Sequence, residues 1–167
     1  MILLSLKTGL RIGELAGLLW SDIDFEAGFL NVQRTVSRIY HGDGTTSIHI
    51  GDPKSESSRR RVPLPPGLLQ MLEHHRQAGE VYLTSGRTKH QEPGTLQLHF
   101  KVVLKRAGIR DLNFHTLRHT FATRYVEKGF DVKSLSMILG RSDVSITLNT
   151  YVHPSMENLR NMMHSLE

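Results

Sequence analysis

The chain contains no cysteine, which excludes disulfides, a thiolate nucleophile and cysteine-ligated zinc. It also lacks a long hydrophobic run: residues 1–6 are apolar, but Lys7 and the Gly9-Leu10-Arg11 turn interrupt them far short of the roughly 20 residues a bilayer crossing requires. No signal-peptide layout, internal repeat or low-complexity stretch is visible, so a cytosolic protein without a membrane partner is expected. Acidic residues are in deficit, with 16 Asp and Glu against 21 Lys and Arg, giving a net charge of +5 and a pI near 9.7. Such an excess, bunched in places such as Arg59-Arg60-Arg61, favours a polyanionic partner through phosphate contacts and counterion release. The same charge also serves plain solubility. At 167 residues and 38% hydrophobic content, one compact domain is expected.

The hydrophobic pattern divides this domain into a helical majority and a small strand region. Residues 1–7 read as the tail of a helix stopped at Gly9, and residues 11–19 as a second short helix with Ile12, Leu15 and Leu19 on its buried side. Three β-branched, alternating stretches follow, at 29–36, 47–50 and 61–64, with a turn at Gly42-Asp43-Gly44. They predict one small antiparallel sheet. After Pro65-Pro66-Gly67 a helix carries Leu68, Leu69 and Leu72 as its buried stripe, and further helices are expected at about 95–106, 115–127, 132–139, 145–151 and 156–166. The fold class is thus mainly α with a small antiparallel β-sheet.

Four blocks stand out within these elements. Thr8-Gly9-Leu10-Arg11-Ile12-Gly13-Glu14-Leu15 lies near the start, and His115-Thr116-Leu117-Arg118-His119-Thr120-Phe121-Ala122-Thr123, Leu139-Gly140-Arg141-Ser142 and Tyr151-Val152-His153 lie near the end. Together they resemble the active-site boxes of the tyrosine recombinases, in particular the integrases of phages and conjugative transposons, and the resemblance spans nearly the whole chain. It implies a tyrosine recombinase catalytic domain with Tyr151 as nucleophile and Arg11 and Arg118 as the two arginines that clamp the attacked phosphate.

The chemistry agrees with those residue types. A phenol with a pKa near 10 is a poor nucleophile at neutral pH, and attack on a phosphodiester builds charge on two non-bridging oxygens that planar guanidinium forks are well shaped to hold. His115 and Arg118 are three residues apart on one helix face. His115, with an imidazole pKa suited to proton transfer near neutrality, is the candidate acceptor for the Tyr151 phenol. Lys54, in Asp52-Pro53-Lys54-Ser55-Glu56-Ser57-Ser58-Arg59 between the second and third strands, falls where relatives carry the lysine that protonates the leaving 5′ oxygen; as an isolated residue it would read as an exposed turn lysine.

Two further residues take supporting roles. Glu14 is expected to orient Arg11 by a salt bridge, because a free carboxylate would repel a phosphate. His119 is expected to be a packed or hydrogen-bonded histidine. The His115 and His119 pair has the spacing of two zinc ligands, but Thr116 replaces the glutamate of a zincin motif and the neighbours are basic, so no metal or other cofactor is expected. Arg141 departs from the family, which usually has histidine or tryptophan there. It can still hold a non-bridging oxygen, but it cannot shuttle a proton. Tyr40, Tyr82 and Tyr125 have no comparable setting.

The resemblance implies DNA strand exchange through a 3′-phosphotyrosyl intermediate, for integration or excision of a mobile element. The implied partners are double-stranded DNA, other recombinase protomers in a tetrameric synaptic complex formed from monomers, and accessory directionality proteins; the implied location is the bacterial cytoplasm or nucleoid. Relatives carry an N-terminal core-binding DNA domain, which is expected to be absent from residues 1–167. Two alternatives remain at this level, a type IB topoisomerase-like strand passage and a weakened DNA-binding remnant. Leu159, Met162 and Met163 form an apolar stripe that would either close the domain's own core or dock on a neighbouring protomer.

Overall fold

The computed structural model describes residues 1–51, 59–141 and 143–151 and the single positions 156, 160, 163 and 164. Two short helices open the chain. Helix α1 (Ile2–Thr8) ends at Gly9, whose φ of 68° lets its N–H reach back to the Ser5 carbonyl at 2.8 Å, a left-handed cap that favours glycine. Helix α2 (Ile12–Ala16) stops at Gly17, three residues earlier than the sequence pattern predicts. Leu18 rather than Leu19 then enters the core, because the chain leaves the helix through a short 3₁₀ turn at Trp20–Asp22.

The expected single sheet is two separate ones. Strands β1 (Ile23–Asp24), β2 (Phe29–Val32) and β5 (Arg60–Pro63) form an antiparallel sheet in the order β1-β2-β5, and β3 (Thr35–Tyr40) pairs with β4 (Thr46–Gly51) as an antiparallel ribbon. The break falls at Gln33 and Arg34 inside what reads as one continuous strand. Arg34 turns its guanidinium back onto the Gly17 carbonyl at 3.2 Å and the Asp22 carboxylate at 2.6 Å, which bends the chain from the first sheet into the second. In the three-stranded sheet Leu30 lies opposite both Ile23 and Val62, so one apolar row faces the core.

Helices α3 (Pro66–His74), α4 (Pro93–Arg106), α5 (His115–Glu127), α6 (Val132–Leu139) and α7 (Val144–Tyr151) complete the fold. The main core joins Leu4, Leu10, Leu15, Leu30, Val62, Leu68, Phe100 and Leu117. A smaller cluster of Ala122, Leu135, Leu139 and Tyr151 joins α5, α6 and α7. Among the described residues no helix is long and apolar enough to cross a membrane. Lys54, Leu159 and Met162 lie outside the described residues, and Met163 is exposed.

Gly13 fixes how α2 meets the ribbon. A Cβ there would stand 2.7 Å from the Val36 carbonyl oxygen and 2.7 Å from Thr35 Oγ1, and the backbone oxygen cannot step aside as a flexible side-chain end could. Gly13→Ala is therefore expected to destabilise the fold by ~1–3 kcal/mol despite alanine's better helix propensity. Thermal unfolding monitored by circular dichroism measures it.

Candidate active site

Arg11 stands at the N-cap of α2, with φ −73° and ψ 154°, so its side chain leaves the helix axis rather than packing along it. Glu14, one turn on, holds it by two bonds: the Arg11 backbone N–H donates to Glu14 Oε2 at 2.8 Å and Nη1 to Oε1 at 2.9 Å. The arginine side chain remains 38% exposed while the carboxylate is only 4% exposed. The expected salt bridge is present, and it has a second member. Arg60, from β5, donates Nη1 to Glu14 Oε1 at 2.9 Å and Nη2 to Oε2 at 3.0 Å, with its side chain only 6% exposed. Burial, the largest single influence, would raise the Glu14 pKa, but the hydrogen bonds and charges of Arg60 and Arg11 together outweigh it and hold the carboxyl below its ordinary value.

Arg118 lies on the inward side of α5 and is 1% exposed. Its Nη1 donates to the Gly9 carbonyl and its Nη2 to the Leu139 carbonyl, both at 2.7 Å. One guanidinium thus ties the end of α1 to the end of α6. Its Nε has no hydrogen-bond partner among the described residues. Burial chiefly, and then the charge of Arg11 and Arg60, push its pKa down to about 9 against the opposing pull of Glu14 and Tyr151. At neutral pH it still carries its charge.

Two glycines keep this neighbourhood tight. A Cβ on Gly9 would lie 2.6 Å from the Phe121 ring and 2.8 Å from the Leu139 side chain. Gly140 has a φ of 62°, and a Cβ there would lie 2.8 Å from Arg60 Nη1. The Gly9 and Gly140 positions in the sequence blocks thus have a packing reason as well as a turn-making one.

Tyr151 ends α7 with its ring in the smaller core, 8% exposed, and its Oη buried without a hydrogen-bond partner among the described residues. His119 meets the ring at a centroid distance of 5.5 Å, and the Arg141 guanidinium lies 5.3 Å from the ring centroid. Arg141 Nη1 also reaches Thr150 Oγ1 at 3.4 Å. His115 stands edge-on to His119 at 4.7 Å, so the order along the row is His115, His119, Tyr151. Partial burial first, then neighbouring cations, lower both histidine pKa values: His119, Arg118, Arg11 and Arg141 act on His115, and Arg141 and Arg118 on His119. Both imidazoles are then predominantly neutral at pH 7 and able to accept a proton.

The structure thus gathers Arg11, Glu14, His115, Arg118, His119, Arg141 and Tyr151. His119 differs from expectation: it is exposed and stands against the tyrosine ring, one place nearer than His115. Arg60 is the residue that sequence reasoning missed. Strand alternation carries a signal for it, since in Arg60-Arg61-Val62 the first arginine shares the inward face of buried Val62.

A profile described as the phage integrase family matches residues 1–158. The chain is similar to a XerC-like tyrosine recombinase of Caldanaerobacter subterraneus, with 36% identity over 99% of this chain and 48% of that protein. It is similar also to the transposase from transposon Tn916 of Enterococcus faecalis, with 29% identity over 94% of this chain and 42% of that one. Among solved structures, the Tn1549 transposon integrase in complex with transposon right end DNA superposes with a TM-score of 0.76 at 28% identity, covering 99% of this chain and 57% of the integrase. The XerA recombinase superposes with a TM-score of 0.67 at 27% identity, covering 98% and 54%. The chain spans about half the length of the curated relatives it matches.

Proposed function

Since the chain belongs to the phage integrase family, we propose that it is the catalytic domain of a site-specific DNA recombinase that breaks and rejoins strands through a covalent bond to Tyr151. Support comes above all from one observation: His119 and Arg141 meet the ring of a single buried tyrosine, while Arg11 and Arg60 converge on Glu14 and Arg118 ties the turns at Gly9 and Leu139 beside it. Arg11, Arg118 and Arg141 are assigned to the non-bridging oxygens of the scissile phosphate, Arg118 through its unpartnered Nε because its two Nη groups are bonded to the Gly9 and Leu139 carbonyls among the described residues, and they offset the charge that grows there.

In the forward step Tyr151 Oη bonds to phosphorus and the bond from phosphorus to the 5′ oxygen breaks. The phenol proton passes to a neutral imidazole, assigned to His115, and Lys54 gives a proton to the departing oxygen. The products are a 3′-phosphotyrosyl link and a free 5′ hydroxyl, and attack by the 5′ hydroxyl of a partner strand reverses the step. No metal or cofactor takes part. The partner is double-stranded DNA of a mobile element in the bacterial cytoplasm, bound by protomers that are monomeric alone and tetrameric in synapsis, with accessory proteins setting direction. The resemblance to transposon proteins supports integration and excision in particular.

The test is incubation of the whole chain with a pool of nicked duplexes of random sequence, followed by denaturing electrophoresis. A slow band that resists detergent, is removed by protease and leaves a 5′ end that polynucleotide kinase can label directly is the expected result. DNA binding without such a band would favour a DNA-binding module that does not cut. Binding itself is expected to be strongly salt-dependent. If about six phosphates are contacted, the affinity should fall by roughly 10³-fold between 50 and 200 mM salt, as read by fluorescence anisotropy. A complex indifferent to salt would contradict the arginine-based contact.

A further inference from the structure

Arg60 touches both halves of the candidate site. Its two Nη groups grip both oxygens of Glu14, the carboxylate that holds the Arg11 backbone and side chain. Its Nε donates to the carbonyl of Ile138 in α6. Gly140, with no Cβ, lets that guanidinium lie against the turn that ends α6. The next residue along from Ile138 is Leu139, whose carbonyl anchors Arg118, and Arg141 follows the same turn. The distance from the start of α2 to the end of α6 is therefore spanned by one buried side chain.

We infer that Arg60 is a positioning residue that sets Arg11, through Glu14, against the α6 turn bearing the Arg118 anchor and Arg141. The inference rests on the recombinase reading for what Arg11 and Arg118 hold, but not for the geometry itself. A guanidinium is needed because only a planar fork offers parallel donors to a carboxylate while a third donor points elsewhere. An ammonium at this position keeps the charge and loses that simultaneous grip. Arg11 then has a carboxylate free to turn, and its side chain, already part-exposed, is no longer held relative to Arg118.

Arg60→Lys tests this, alone and combined with Arg11→Lys, by three readings on the whole chain. Affinity for a nicked duplex is expected to stay within about threefold, while the single-turnover rate of adduct formation falls by ~10- to 100-fold, the scale on which small misplacements act. In the Arg11→Lys background the same change should lower the rate by less than about threefold, because residues acting through one another are not additive. Amide exchange at Arg11 should quicken by roughly tenfold as its bond to Glu14 loosens, with the Leu72 amide of α3 unchanged. A wild-type cleavage rate in Arg60→Lys, or a full additive loss in the double variant, would overturn the inference. So would equal quickening at Arg11 and Leu72, which marks general loosening. If the native chain forms no adduct at all, the recombinase reading fails, and exchange at Arg11 alone decides whether Arg60 positions it.

Discussion

Tyr151→Phe is expected to abolish the covalent adduct while leaving DNA affinity within about twofold and stability unchanged or raised. The substitution deletes one oxygen and keeps the ring, and the ring makes the contacts: it packs in the cluster of Ala122, Leu135 and Leu139, against His119 on one side and near Arg141 on another. The oxygen itself is buried without a hydrogen-bond partner among the described residues. A buried unsatisfied hydroxyl costs ~1–3 kcal/mol, so its removal should raise the melting temperature or leave it where it was. Most variants that lose activity by unfolding move the opposite way. The pairing of lost chemistry with retained or improved stability thus separates a nucleophile from a packing residue. Denaturing gels for the adduct and calorimetry for the unfolding transition are both required. An adduct that persists in Tyr151→Phe would transfer the role to another phenol, of which Tyr40, 78% exposed at the end of β3, is the most accessible.

The buried, unpartnered Oη also bears on how the site works in the absence of DNA. His119 and the Arg141 guanidinium lie against the ring, and no described residue hydrogen-bonds the hydroxyl. Among the described residues Oη has no hydrogen-bonded proton acceptor, so on the proposed reading attack requires a movement of α7 or of the side chain that brings Oη to the phosphate. His119 is the ring nearest to Tyr151 and shares the lowered pKa of His115. His115, the proposed acceptor, meets the ring only by way of His119 in this arrangement and comes within reach of Oη after that movement.

Sequence reasoning reached α4 to α7 almost to the residue, because α5 and α6 are bounded by turn glycines and by Asp131, which caps α6 through Lys133 and Ser134; most of the helix expected at 156–166 lies outside the described residues. Sequence reasoning singled out Arg11 and Arg118 through the resemblance of their blocks to the tyrosine recombinases, and spacing added only that Glu14 can reach Arg11 and that His115 shares a helix face with Arg118. It failed where tertiary contacts decide. The split between β2 and β3 depends on Arg34 finding Asp22 and Gly17, and the early end of α2 depends on the turn around Trp20. Arg60 escaped for the same reason. Its partners Glu14 and Ile138 lie 46 and 78 residues away, and in a run of three arginines only the strand's alternation distinguishes the inward one.

Glu14→Ala is expected to destabilise the domain by ~3–5 kcal/mol, the loss seen when one member of a buried ion pair is removed. Against a typical total of about 5–15 kcal/mol, that is a large fraction of the fold's stability. The cause lies in Arg60, whose side chain is 6% exposed and would keep its desolvation cost while losing its counter-carboxylate. Replacing both residues, as in Glu14→Ala with Arg60→Met, should recover most of the loss, since burying neither charge is close to neutral for a packed interior. The pH dependence gives an independent check with a fixed sign. The folded-state pKa of Glu14 lies below its ordinary 4.5, so its ionisation stabilises the fold fully above that value, and the stabilisation disappears as pH falls through the lowered folded pKa. Urea unfolding should therefore show the native chain and Glu14→Ala far apart at pH 7 and drawing together in acid. If the gap were instead constant across that range, the carboxylate's charge would not be what holds Arg11 and Arg60, and Glu14 would act by shape alone.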